Sequence, residues 1–136
     1  MTGFNLKSIK QLQSADIEIR DPDGNPTGVV FTMAGPEHPE RKRVQFAYQR
    51  RLLARAKKTG KVELDDPEER EEQDREMLAT FTLGWSGYVD EAGKEVPFSV
   101  QAAKEMYADP DMAWLVDQLH QALNEKERFI AKSRTG

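Results

Sequence analysis

The sequence predicts a small α+β domain that is mainly helical, with about four helices, an N-terminal β-hairpin and a short second hairpin. Apolar and charged residues alternate near the N-terminus, around Ile17 and Ile19, as in a half-buried strand. Farther along, apolar residues recur at helical spacing, and two segments open with Asp-Pro, at Asp66 and Asp109. Aspartate caps a first helical turn and proline fits its first position. A chain of 136 residues is enough for one domain with one modest core.

The composition argues against several classes of protein. The formal net charge of -4 disfavours nucleic acid as the main partner. The chain has no cysteine, and therefore no disulfide framework, thiol nucleophile or zinc-thiolate site. No apolar run approaches the roughly 18 residues of a membrane-spanning helix, and the N-terminus lacks a signal-peptide pattern. We therefore expect a soluble cytoplasmic protein without a membrane partner.

The N-terminal region divides into an arm and a hairpin. We expect a mobile or docking arm over residues 1–15, a single α+β domain over 16–131 and a polar tail over 132–136. From Asp16, the alternating pattern, the turn-rich segment 21–26 and the β-branched run 28–33 predict a hairpin with a long turn. Two strands alone are marginal in water, so this hairpin must pack on helices or join a partner's sheet.

A helix is predicted over residues 39–58, and its apolar residues form two ridges. The first ridge climbs at four-residue spacing through Val44, Tyr48, Leu52 and Ala56. Phe46 and Leu53 define the second ridge, about half a turn round the helix. A helix that is apolar on two sides touches two things. We expect one to be the hairpin and the other to be a neighbouring helix or subunit.

The same helix lies in the most basic part of the chain. Nine lysines and arginines and no acidic residue occur between positions 41 and 61, and Arg43, Arg50 and Lys57 recur every seven residues. A strongly acidic run follows over residues 63–76. Three interpretations remain open: two oppositely charged helices that pair within or between subunits, a solvated flexible linker, or a nucleic-acid site.

The segment from Asp66 to Val89 is expected to lie at the centre of the fold. A helix begins at Pro67, and Gly84 is predicted to end it in the left-handed conformation. Trp85 and Tyr88 follow around Gly87, and two large aromatic side chains are costly to leave in water. We interpret Phe81 and Trp85 as core residues, with an exposed aromatic docking site as the alternative.

The C-terminal part is predicted to hold a second hairpin and two helices. The hairpin covers residues 88–98 with Gly93 at its turn, and Ser99 caps a helix over 100–107. The last helix runs from Pro110 to about Ala131 on one apolar stripe. Trp114 points almost opposite to that stripe, so either a second layer covers it or it contacts a partner.

No motif of catalytic or metal-binding chemistry is present. The sequence lacks a glycine-rich phosphate loop, a Gly-x-Ser-x-Gly elbow, a His-Glu-x-x-His pair and a complete calcium loop. The carboxylates occur in a charge run, which is usually a solvated face. We therefore predict a protein that is not an enzyme and that needs no cofactor or metal.

Several local strings resemble small tail assembly chaperones of long-tailed bacteriophages. The resemblance spans roughly residues 15–130 and rests on five strings, Asp21-Pro22-Asp23-Gly24, Gly35-Pro36-Glu37-His38-Pro39-Glu40-Arg41, Leu83-Gly84-Trp85-Ser86-Gly87, Val96-Pro97-Phe98-Ser99 and Asp109-Pro110 with Trp114-Leu115. It implies a chaperone in the host cytoplasm that binds the tape measure protein and helps to recruit tail tube protein. This sequence departs from the best-known members in its N-terminal hairpin, since their start is all helical.

The candidate partner-binding residues follow from this resemblance and from the two apolar ridges of the helix over 39–58. We expect client binding or self-association into a homo-oligomer to use Phe46, Leu53 and Trp114, together with the basic residues Arg43, Arg50 and Lys57. A structural virion component, such as a head-tail connector or tail completion protein, is the first alternative. A DNA-binding accessory protein that uses the basic segment 41–61 is the second.

Overall fold

The computed structural model describes residues 3–61 and 66–132 and confirms the predicted α+β class. Within those ranges there are four α-helices and five strands. The helices are α1 (Pro39–Thr59), α2 (Pro67–Phe81), α3 (Val100–Ala108) and α4 (Ala113–Leu123). The strands are β1 (Ile9–Gln11), β2 (Ser14–Arg20), β3 (Pro26–Ala34), β4 (Thr82–Ser86) and β5 (Ile130–Lys132). Short 3-10 turns cover Leu6–Ser8, Pro110–Met112 and Lys126–Phe129.

The N-terminal hairpin is confirmed as β2 and β3, which are antiparallel. Its turn is built on Asp21, whose Oδ1 accepts hydrogen bonds from the backbone N–H groups of Asp23 and Asn25 at 3.0 and 2.9 Å. An aspartate that accepts from the backbone two residues ahead is a common way to fix such a turn. The hairpin packs on helices, with Ile17, Ile19, Phe31 and Met33 buried from its inner face.

A third strand, β4, extends this hairpin into a sheet of order β2-β3-β4. The prediction that Gly84 ends α2 in the left-handed conformation is wrong. The helix ends at Phe81, and Thr82 is already extended at φ -84° and ψ 118°. The chain passes directly from helix to strand because Thr82 and Trp85 pair with Met33 and Phe31 of β3. Pairing across the sheet, including that of Trp85 with Phe31, thus outweighs the tendency of Gly84 to end the helix in the left-handed conformation.

The chain ends form a second, two-stranded sheet. β1 pairs antiparallel with β5, and the backbone N–H of Leu12 donates to the carbonyl of Phe129 at 2.7 Å. Part of the segment expected to be a mobile or docking arm is therefore a strand, because β5 satisfies its backbone groups. The predicted polar tail begins at Lys132, the last residue of β5, and residues 133–136 lie outside the described part of the chain.

The last helix is shorter than predicted. The last helix ends at Leu123 rather than near Ala131, since Asn124 and Glu125 turn back onto Gln121 and Ala122 with backbone N–O distances of 3.1 Å. The 3-10 turn that follows brings Phe129 into full burial. The short second hairpin is confirmed: Val89 pairs antiparallel with Glu95, the N–H of Val96 donates to the carbonyl of Tyr88 at 2.9 Å, and Gly93 at the turn has φ +79°. Helix α3 starts after Ser99 as predicted.

The core lies between the inner sheet face and α2, α3 and α4. Its buried side chains include Leu78, Phe81, Tyr107, Leu115 and Leu119. The interpretation of Phe81 and Trp85 as core residues is supported: Phe81 is buried, and Trp85 packs against the core.

Trp85 is held in place by an aromatic cluster and a hydrogen bond. Its ring lies against Phe31, Tyr88 and Phe98, with centroids 5.4, 5.4 and 4.9 Å away. Its Nε1 donates to the carbonyl of Val96 at 2.9 Å. The loop that follows β4 is therefore fixed to the sheet by one side chain.

Candidate interaction surface

Helix α1 has well-defined ends that set its length. His38 Nδ1 accepts a hydrogen bond from the backbone N–H of Glu40 at 3.1 Å, and Pro39 occupies the first helical position. At the other end Gly60 is left-handed, with φ +72°, and its N–H donates to the carbonyl of Ala56 at 2.8 Å. These caps satisfy backbone groups that a helix end leaves unpaired. The helix is 21 residues long, and none of its residues is fully buried.

The inner side of α1 lies against α2. Arg41, near the start of α1, is placed over the ring of Phe81 at the end of α2, with 5.4 Å to the centroid. Farther along, Arg51 donates to the side chain of Gln73, so the two helices are antiparallel. A cavity of about 210 Å³ between them is lined by two basic residues of α1, Arg51 and Arg55, and by Gln73 and three acidic residues of α2, Glu69, Glu72 and Glu76. Of the three interpretations of the charge pattern, this is the arrangement expected of oppositely charged helices that pair.

Arg41 also ties α1 to the sheet. Its Nη1 donates to the carbonyl of Ala34, the last residue of β3, at 3.1 Å. The pKa of Arg41 is lowered by burial, and its Nε has no hydrogen-bond partner among the described residues. Burying a guanidinium is costly unless it is paired. We infer that the cation–π contact with Phe81 and the bond to Ala34 offset part of that cost and fix the start of α1.

The opposite side of α1 carries two large apolar side chains that are exposed. Phe46 is 51% exposed and Leu53 is 62% exposed. Arg43, Arg50 and Lys57 are also exposed, and Arg43 lies at the border of this side, where it lines a cavity of about 290 Å³ with residues of α2 and Lys104 of α3. At 3.6 residues per turn these five residues fall within an arc of about 80°. We call this set, Arg43, Phe46, Arg50, Leu53 and Lys57, the outer face of α1. The sequence-predicted candidates on this helix are thus brought together.

One residue of the outer face has a charged partner on its own helix. Arg43 Nη2 lies 2.9 Å from Glu40 Oε2. The hydrogen bond and the charge of Arg43 lower the pKa of Glu40, and Glu40 in turn raises the pKa of Arg43. An exposed pair one turn apart contributes little to stability. Its effect is to hold the guanidinium of Arg43 along the helix beside Glu40.

Trp114, the sixth predicted contact residue, lies in a different region. It is half-buried and packs against the core, so a second layer covers it in part. It lines a cavity of about 180 Å³ whose walls come from β2, β3, the segment after β4 and the α3–α4 region. The other lining residues are Ile19, Thr27, Val29, Phe31, Tyr88, Met106, Met112 and Leu115. No local pattern predicts this cavity, because the residues that line it are far apart along the chain. The structure does not join Trp114 to the outer face of α1.

The described residues define a class of protein: a small α+β domain with one helix that packs on one side only and carries apolar side chains on the other. Within residues 3–61 and 66–132, no group of three or more His, Asp or Glu side chains is placed to hold a metal ion. None of the helices in those ranges has the length and apolarity needed to cross a bilayer.

The chain belongs to the family described as YdaY prophage protein, whose model matches residues 39–135. The match begins at the first residue of α1 and includes the whole outer face. Neither a curated protein nor a solved structure matches the chain. The family shows a phage-derived protein, which is the coarser part of the resemblance to tail assembly chaperones.

Proposed function

We propose that this protein is a non-enzymatic tail assembly chaperone of the host cytoplasm. Its client is the tape measure protein before assembly, and it assists the recruitment of tail tube protein. The observation that carries the proposal is the outer face of α1, where two large apolar side chains are exposed on a helix whose inner side packs against α2. Membership of a prophage protein family supplies the viral setting.

The outer face suits a helical client for a physical reason. Full burial of a Leu or Phe side chain stabilises an interface by about 1.5–3 kcal/mol. Phe46 and Leu53 are each more than half exposed, so each has roughly half of that gain still available. Helices bind one another through side chains that recur every three, four or seven residues. A long apolar helix is therefore a fitting client for this surface.

The proposal is tested by co-expressing the protein with the tape measure protein encoded by the same prophage. We expect the tape measure protein to be soluble with the wild type and to be mostly insoluble with Phe46→Ala/Leu53→Ala. The matched control is Val100→Ala, which removes an apolar side chain that is 41% exposed at the start of α3. Trp114→Ala reports separately on the second region. Equal client solubility with all variants, each shown to be folded, would contradict the proposal.

One rival has a specific observation in its favour. The run of nine basic residues over 41–61 favours a DNA-binding accessory protein. That function requires affinity for duplex DNA that falls steeply with salt. A gel shift at low salt would support it, and the absence of one would remove it. A structural virion component is distinguished by its presence in purified particles, from which an assembly chaperone is absent.

A further inference from the structure

We infer that the outer face of α1 binds an acidic amphipathic helix of another protein. This inference specifies the partner segment for the surface on which the proposed function rests. It follows from the spacing of the five residues, from their charge, and from what the remainder of the described chain can offer as a partner.

The spacing is that of a helix-to-helix contact. Phe46 and Leu53 are seven residues apart, and so are Arg43, Arg50 and Lys57. If Phe46 and Leu53 occupy the a positions of a heptad repeat, the three basic residues occupy its e positions. In coiled coils the a residues pack in the seam, whereas the e and g charges beside the seam choose the partner. With 21 residues, α1 is three heptads long.

The charge of the surface selects an acidic partner. The segment 41–61 holds nine basic residues and no acidic one. The inner side of α1 faces the acidic residues of α2, but Arg50 and Lys57 point away from them into solvent. Their charges lie within about one Debye length, roughly 10 Å, of any helix that covers Phe46 and Leu53. Acidic residues at the flanks of that helix would be attracted, and basic residues would be repelled.

A second copy of this chain fits the surface poorly. Two outer faces placed together would bring like charges side by side, which disfavours pairing. The acidic helix α2 of a second copy has the right charge, but its exposed residues are almost all charged. The exposed large apolar residues of the described chain are Phe4, Leu6, Ile9, Phe46, Leu53, Val89 and Val100, and none is on α2. Outside α1, only Val100 among these residues lies in an α-helix, so no described helix of a second copy combines acidic residues with an exposed apolar stripe, and we infer that the partner is a different protein.

Two other classes of partner match the surface less well. An anionic membrane would need a broad apolar stripe for insertion, and the outer face offers only two apolar side chains over three heptads. Nucleic acid would be drawn to the arginines and lysine, but phosphate contacts make no use of an exposed Phe46 and Leu53. Both classes are separate arms of the test below.

The test uses the full chain and designed peptides. The probe is a fluorescent three-heptad peptide with Leu at a and d and Glu at e and g. A second peptide carries Lys at e and g. We expect fluorescence anisotropy to show at least tenfold tighter binding of the Glu peptide, with an affinity that weakens as salt is raised. Phe46→Ala/Leu53→Ala should lose at least tenfold in affinity for the Glu peptide.

Charge reversal provides the decisive comparison. Arg50→Glu/Lys57→Glu should reverse the preference, so that the Lys peptide binds more tightly. The matched control is Lys94→Glu/Lys126→Glu, which changes the net charge equally at two exposed positions outside α1. It should bind as the wild type does. The single variant Arg50→Glu covers the case in which the double reversal fails to fold. It should reduce the ratio of the affinity for the Glu peptide to that for the Lys peptide.

Several results would overturn the inference. These are no preference for the Glu peptide, equal loss in the Lys94 and Lys126 control, or full binding by Phe46→Ala/Leu53→Ala. Tighter binding to anionic vesicles or to duplex DNA than to the Glu peptide would do so as well. If the Glu peptide binds as expected but the tape measure protein does not depend on this protein, the chaperone function fails and the surface stands. If the client depends on it but peptide charge has no effect, the inference fails alone.

Discussion

The buried hydrogen bond between Thr82 and Tyr107 allows a quantitative test of what connects the sheet to the helices. Thr82 is 2% exposed and Tyr107 is 3% exposed, and their hydroxyl oxygens are 2.7 Å apart. Thr82 Oγ1 also donates to the carbonyl of Leu78 at 2.8 Å, in the last turn of α2. The Tyr107 hydroxyl thus donates to an oxygen that itself donates onward. Thr82→Val removes this link and keeps the shape of the side chain.

The expected loss follows from the groups that remain buried. Thr82→Val leaves the Tyr107 hydroxyl without its partner, which costs about 1–3 kcal/mol. It also frees the Leu78 carbonyl, so we expect a loss of about 2–3 kcal/mol in the free energy of unfolding. Tyr107→Phe removes the hydroxyl itself and should cost only about 1 kcal/mol. The double variant should lose less than the sum of the two, because both remove the same bond.

The measurement is urea unfolding followed by the fluorescence of the two tryptophans, Trp85 and Trp114. The slope of the unfolding free energy against urea should be unchanged, so that the midpoint alone reports stability. Thr82→Ser keeps the hydroxyl and loses one methyl group, and should cost about 1 kcal/mol. If Thr82→Val proves no more destabilising than Tyr107→Phe, the assignment of this bond as a link between elements is refuted.

Three further predictions follow from single positions. Burial raises the pKa of Tyr107, so the folded state holds the hydroxyl proton more tightly than the unfolded state does. The free energy of unfolding contributed by this group should therefore be constant below pH about 10 and fall above it. Urea unfolding across that range should show a less steep fall for Tyr107→Phe. Gly87→Ala should lower the free energy of unfolding by more than about 2 kcal/mol, because φ is +76° and a Cβ would lie 2.6 Å from the Gly28 carbonyl oxygen. Gly93→Ala is the control: φ is +79° but the space is open, so the same measurement should show a loss of about 1 kcal/mol. Asp66→Ala removes the acceptor of the 3.2 Å hydrogen bond from the Glu69 N–H, which caps α2, and should lower the free energy of unfolding of the protein by about 1 kcal/mol. An unchanged free energy of unfolding would contradict a stabilising role of this cap.

Local signals predicted most of the elements. The turn residues 21–26 fixed the first hairpin, and the Asp-Pro start at Asp66 and the cap at Ser99 gave the helix starts. Each of these features depends on neighbours in sequence. The second apolar ridge of α1, through Phe46 and Leu53, was also recognised from spacing, because these residues lie about half a turn from the ridge of Val44 and Tyr48.

The errors share a physical cause: pairing with residues far along the chain. β4 begins at Thr82 because β3 offers Phe31 and Met33 across from it, and no local pattern of residues 82–86 records that partner. The end of α4 was misplaced because Ile130 fits the helical stripe and Phe129 flanks it, although Phe129 reaches the core from a 3-10 turn. The cavity at Trp114 was missed for the same reason.

Because β3 pairs with β4, the folded domain includes residues that precede the region matched by the family. The match begins at Pro39, but Ile17, Ile19, Phe31 and Met33 lie before it and fill one side of the core. A polypeptide trimmed to the matched region would leave the backbone groups of β4 unpaired and would lack the apolar side chains of the hairpin that complete the core. Exchange of gene segments at this boundary between prophages would be tolerated only when the incoming hairpin restores the register that places Phe31 opposite Trp85.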